Sequence, residues 1–218
     1  MAGSLVQARR GGRNGGRVTR ACRVETRLDT CMEVKVETHQ EECLGNFISV
    51  YSEEPQQLAA VASKSDAVLA EIQAKNQNAS TEPEERSALA RLIAGDFASG
   101  EQPDGHHFVR AFRAACNAYA SSPATVEIYL DEDQFPEMWE FVWGAAEVPC
   151  GLPASEFGSP AAGYWDTEGV KRYLGIFANL DFETVAARNN GTSYKEEIAE
   201  LREVLNKSRR GVYVFYEE

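Results

Sequence analysis

Gly105-His106-His107 holds the chain's one histidine pair, and histidine is the usual base or metal ligand near neutral pH. Neighbours on a helix point about 100° apart, so His106 and His107 do not readily share one metal. At the start of a helix the pair also serves to cap and solvate its end. A second group, Asp131-Glu132-Asp133, directly follows an alternating apolar run, and carboxylates at the end of a strand can hold a hard cation. Asp166 and Glu168 are acids the fold could bring beside them. Capping accounts for Asp131 and Asp133 as well, since either stands where it can accept from the free N–H groups of the next helix. Tyr164 and Trp165, at the mouth of a long Pro-, Gly- and Ser-rich stretch, are candidate exposed aromatic anchors for a ligand or partner. Trp139 and Trp143 share the helical phase of Phe135 and Val142 and are expected in the core.

Other chemistries are poorly supplied. Cys31, His39 and Cys43 have looser spacing than the short knuckles of zinc sites. Cys116 and Cys150 have no neighbouring residues that suggest a catalytic dyad. The sequence contains no dinucleotide fingerprint, phosphate-binding loop, nucleophile elbow or H-E-x-x-H helix. These absences favour a protein that binds over a common enzyme, with no cofactor expected.

The elements that must position these residues can be read in order. Phe47–Tyr51 is a strand, and Val34–Glu37 a weaker one. Pro55 opens a helix carrying Leu58 and Val61; Asp66 is expected to cap a second, with Val68, Leu69 and Ile72. Pro83 opens a third that ends at Gly95. Phe108, Phe112, Ala115, Cys116 and Tyr119 mark a fourth. Thr125–Leu130 alternates as a strand, and Phe135 to Trp143 is helical. Residues 147–163 are expected to form a long irregular connection. Val170, Tyr173, Leu174 and Phe177 then form one helical stripe behind an Asp166 or Thr167 cap. Asp181 caps a shorter helix stopped by Asn190-Gly191. Ser193 and Glu196 have the spacing of a capping box for the last helix. Val212–Tyr216 is apolar on both faces, as expected for a strand inside a sheet. Few strands, many helices and no regular βαβ alternation predict an α+β fold, a small mixed sheet of about four strands packed against several helices, in a single domain over 46–218.

Charge divides the chain. Residues 1–31 hold seven Arg against two acids, a net of +5, whereas residues 32–218 hold 15 basic and 32 acidic residues, a net of −17. Such a surface repels nucleic acid and anionic membranes and attracts cations or basic proteins. Residues 1–45 are expected to be a disordered basic extension, with Met32 an alternative start. No apolar run approaches the roughly 20 residues needed to cross a bilayer. Five cysteines without a compact framework suit a reducing cytoplasm.

The order of these elements from Asn46 to Glu218 resembles an uncharacterised bacterial family of unknown function, distantly similar to the YfbM-like proteins. Leu58–Ile72, Ala88–Asp96, Gly163–Phe177 and the closing RRGVYVFYEE carry the likeness. It implies a compact α+β bacterial protein and carries over no catalytic residue. The expectation is an acidic cytoplasmic binding or regulatory module for a basic protein partner. The alternative is an unusual metal-assisted hydrolase using His106 or His107 with Asp131 and Asp133.

Overall fold

The computed structural model describes residues 46–76, 82–97, 100, 103–121, 123–153 and 158–218. The chain divides into two units, Met1–Glu41 and Glu42–Glu218, and the described residues belong to the second. The expected basic extension, the strand at 34–37 and the Cys31/His39/Cys43 group lie outside them.

The elements are β1 (Asn46–Ser52), α1 (Pro55–Val61), α2 (Asp66–Lys75), α3 (Pro83–Ala94), α4 (Gly105–Tyr119), β2 (Ala124–Ile128), α5 (Pro136–Trp143), β3 (Ala161–Asp166), α6 (Thr167–Ala178), α7 (Phe182–Arg188), α8 (Lys195–Lys207) and β4 (Gly211–Glu217). The α+β class and the four-stranded sheet are as expected. The strands run in the order β2-β1-β4-β3, and every pairing is antiparallel, where mixed directions were expected. β4 is central, as its two apolar faces require.

Helices cover both faces of the sheet. On one, Ile48, Val50, Val126, Ile128, Val212 and Val214 pack with Phe135, Phe141, Tyr173, Phe177 and Leu201 from the α5–α8 side. On the other, Tyr51, Tyr213 and Phe215 pack with Leu89, Leu92, Phe108 and Phe112 from α3 and α4. Edge-to-face rings lock this second core: Phe112 and Tyr213 stand 5.1 Å apart at 84°, and Tyr51 and Phe215 5.5 Å apart at 84°. The strand period of two thus assigns each residue to a layer.

Most helix ends follow local rules. Asp166 Oδ1 accepts from the Gly169 N–H at 2.9 Å, and Asp181 Oδ1 from the Glu183 N–H at 3.1 Å. Gly95 closes α3 at φ 70°, and Asn190 (φ 53°) and Gly191 (φ 95°) follow α7 in the left-handed region. Three expectations need correction. The last helix starts one residue past the Ser193 box, with Tyr194 at its N-cap in the left-handed region. Tyr194 stacks on Phe135 at 5.9 Å and takes the Tyr129 N–H at 3.2 Å, so tertiary contacts override the local signal. α2 is entered from Ser65, and Asp66 is its first residue rather than its cap. Residues 161–163 belong to a strand, not to the irregular connection, and β3 is the strand that the sequence pattern did not reveal.

The two sheet edges differ. Ala146 bridges to β3, with N–H···O distances of 3.0 and 2.8 Å to Tyr164. A Cβ on Gly163 would clash with the Ala145 methyl, so glycine is what permits this close pass. Among the described residues nothing pairs with the outer edge of β2.

Candidate functional site

α3 and α4 run against each other: Arg91 meets Asp104 at 2.8 Å near one end, and Glu85 meets Arg110 at 3.2 Å farther along. His106 and His107 occupy the first turn of α4, their ring centroids 3.8 Å apart and tilted by 42°. Burial, then the neighbouring His107 and Arg110, push the His106 imidazole below its ordinary value, which favours the neutral ring. His107 Nδ1 is shut off from solvent and, among the described residues, has no hydrogen-bond partner. Leaving such an atom unpaired costs about 1–3 kcal/mol, so the local structure carries an unmet demand.

Two glutamates meet that imidazole. Glu82, the N-cap of α3, and Glu85 in its first turn each bring a carboxylate oxygen to within 4.8 Å of a His107 ring nitrogen and of each other. The Glu85 side chain is 11% exposed and anchored by Arg110, which also holds Glu217 at 2.6 Å. A cavity of about 380 Å³, lined by Pro83, Ser87, Arg91, Asp104 and His107 among others, opens beside the group. Sequence reasoning missed Glu82 and Glu85 because they lie at the start of the preceding helix, one as its N-cap and one in its first turn. An i, i+3 acid pair facing a histidine across a helix hairpin was the signal that could have found them.

Asp131 and Asp133 are not part of this group. Asp131 Oδ1 accepts from the N–H groups of Asp133 and Gln134, both at 2.9 Å, and so closes the turn before α5. Its carboxylate is satisfied as a turn-former, while Glu132 and Asp133 are exposed. Leu130 and Phe135, which bracket this turn, pack on the sheet face opposite to α4. The histidines and the Asp131/Asp133 pair are therefore attached to opposite faces.

Tyr164, Trp165 and Asp166 are consecutive on β3 and cannot face one ligand together, because neighbours on a strand point to opposite sides. The expectation of exposed aromatic anchors is corrected here. Tyr164 Oη donates to Glu53 Oε2 at 2.6 Å, and burial together with that carboxylate holds its phenol well above the ordinary value. Its ring lies over Gly211, where a Cβ would stand 2.5 Å from the hydroxyl. Trp165 donates from Nε1 to the Phe141 carbonyl at 2.9 Å, and its ring covers Gly169. Asp166 is the helix cap already described. All three side chains are committed to the fold.

The exposed aromatics lie elsewhere: Phe47 is 44% exposed, Tyr129 48% and Trp143 39%. Trp143 was expected in the core, but it closes α5 against Tyr216 at 4.9 Å and Trp139 at 5.7 Å and stays partly exposed. Phe47 pairs directly across from Glu127, and Tyr129 follows two residues on, so the three share one face at the open edge of β2. Tyr194 sits within the electrostatic reach of Glu127 and Glu197, and α8 continues with exposed Glu200 and Glu203. Glu203 is partnered by Lys207 at 2.5 Å. The result is two exposed rings beside Glu127, with Arg110 and Arg113 lining the cavity next to Phe47, at a strand edge that no described strand pairs.

Residues 46–218 hold 28 acidic and 14 basic residues, a net of −14. Among the described residues no helix is long and apolar enough to cross a membrane. No family model, curated protein or solved structure matches this chain.

Proposed function

We propose that the chain is a non-catalytic binding module of the cytoplasm that engages a basic protein partner. The observation that carries this reading is the open β2 edge, where Phe47 and Tyr129 stand exposed beside Glu127 in a strongly acidic body. Exposed aromatic rings supply contact area at low entropic cost, and the net −14 of residues 46–218, with Glu127 beside the rings, favours a cationic partner. The free edge adds main-chain hydrogen bonds for an extended segment. Charge on an edge strand also guards against self-pairing, and Glu127 serves that purpose in the free protein. Tyr129 is not needed for such a guard, and its exposure is what the docking role explains.

The alternative hydrolase needs His106 or His107 beside Asp131 and Asp133. The opposite placement of these pairs gives it no support.

The test uses the full chain as bait in a nuclease-treated lysate, at low and high salt, beside a Glu127→Lys/Tyr129→Ala variant. The expected result is a basic protein retained by the wild type at low salt, released at high salt and lost with the variant. Capture that is the same for both baits, or insensitive to salt, contradicts the docking surface.

A further inference from the structure

We propose that Glu82, Glu85 and His107 form a binding site for a divalent transition-metal ion, zinc or manganese in type. This site is separate from the β2 edge and does not rest on the docking proposal.

Three observations converge. One ligand atom from each residue lies within 4.8 Å of the other two. First-row ions bind oxygen and nitrogen at roughly 2.0–2.2 Å, which spaces neighbouring donors about 3.3 Å apart. Glu82 is exposed and free to swing, so small rotations close that gap around an ion. The second observation is the solvent-shielded Nδ1 of His107, which has no partner among the described residues. Carboxylates at the first turn of α3 are explained by the helix dipole alone, but that account leaves the imidazole unanswered. A cation held at Nδ1, or a water of its shell reaching Nδ1, would answer it. The third is the anchoring of Glu85: Arg110 holds one side of this carboxylate, as the outer groups of metal sites hold their ligands.

The donor set narrows the ion. Two carboxylates and one imidazole are too hard for a thiolate-seeking metal and too rich in nitrogen for calcium, which takes six to eight oxygens. Zinc and manganese accept this mixture. Three protein donors leave at least one position for water.

The experiment titrates Zn²⁺ and Mn²⁺ into the chelator-treated full chain by calorimetry, followed by the visible spectrum of the Co²⁺ form. The variants are Glu82→Gln and His107→Gln, with His106→Gln as the control and circular dichroism to follow folding. Glu82 is exposed, so its substitution keeps the test clear of misfolding. The expected result is one ion per chain, affinity lowered more than about tenfold in both variants and kept in the control, and a Co²⁺ spectrum without thiolate charge transfer. No saturable binding, wild-type affinity in either variant, or a thiolate band that assigns the ion to cysteines overturns the proposal.

Discussion

Tyr173 and Tyr213 are fully buried, and among the described residues neither hydroxyl has a hydrogen-bond partner. Tyr213 faces Glu53, Tyr164, Cys116 and Cys150, and Tyr173 lies among Phe141, Phe177 and Trp165. An unpaired buried hydroxyl contributes desolvation cost with no bond in return. Tyr173→Phe and Tyr213→Phe are therefore expected to leave stability unchanged or to raise it by up to about 1 kcal/mol. Urea unfolding midpoints check this, and a loss above about 1 kcal/mol in either variant would reveal a bond that the geometry does not provide. At this scale the sequence was readable where the rule is local. The Asp166 and Asp181 caps need no more than four consecutive residues, so spacing was enough. The unmet Nδ1 of His107 and its glutamate neighbours depend on a helix hairpin, and no spacing along the chain encodes that meeting.

Among the elements, β3 shows how a strand hides from pattern reading. Its residues, Ala161-Ala162-Gly163-Tyr164-Trp165-Asp166, carry two alanines and a glycine where β-branched side chains are usual. They are small because other groups pass close: Ala145 beside Gly163 and α4 beyond Ala162. Tyr164 and Trp165 looked like exposed anchors because aromatics after a loop so often are. Instead each covers a glycine, Gly211 in β4 and Gly169 in α6, and repairs the gap that the missing side chain leaves. Gly211→Ala is expected to destabilise by about 1–3 kcal/mol, since its methyl would meet the Tyr164 hydroxyl and the Trp165 carbonyl. Asp166→Ala should cost about 1 kcal/mol through loss of the α6 cap. Thermal and urea melts of both variants check these values. The remaining elements were legible because their apolar periods are long and uninterrupted, as in α4 and α8. The Ser193 box failed because the pull of Phe135 on Tyr194 outweighs a single cap.

For the whole molecule, two properties follow from its make-up. The first is a sensitivity to alkali. Burial is the leading cause that raises the phenols of Tyr51, Tyr164, Tyr173, Tyr213 and Tyr216 above the ordinary 10.0, with Tyr173 pushed up to about 12. A phenol whose value is higher in the folded chain than in the unfolded one favours folding in its protonated form. That stability is complete below 10.0 and drains away as pH rises through about 12. Unfolding midpoints followed across this window should fall steadily, and a flat profile would mean that these rings reach solvent. The second property is the division of charge, read directly from composition, which gives the body its net −14. Composition could say that a cationic partner is favoured, but not where it docks. The open β2 edge appears only when Ala146 is seen to close the other side.

Docking at that edge is the claim on which the functional reading stands, and the affinity of the captured basic partner as a function of salt tests it most directly. The affinity should fall steeply as salt rises, because screening weakens attraction between exposed charges. In the Glu127→Lys/Tyr129→Ala variant both the affinity and the steepness should drop. An affinity indifferent to salt, and equal in the two proteins, would contradict the account.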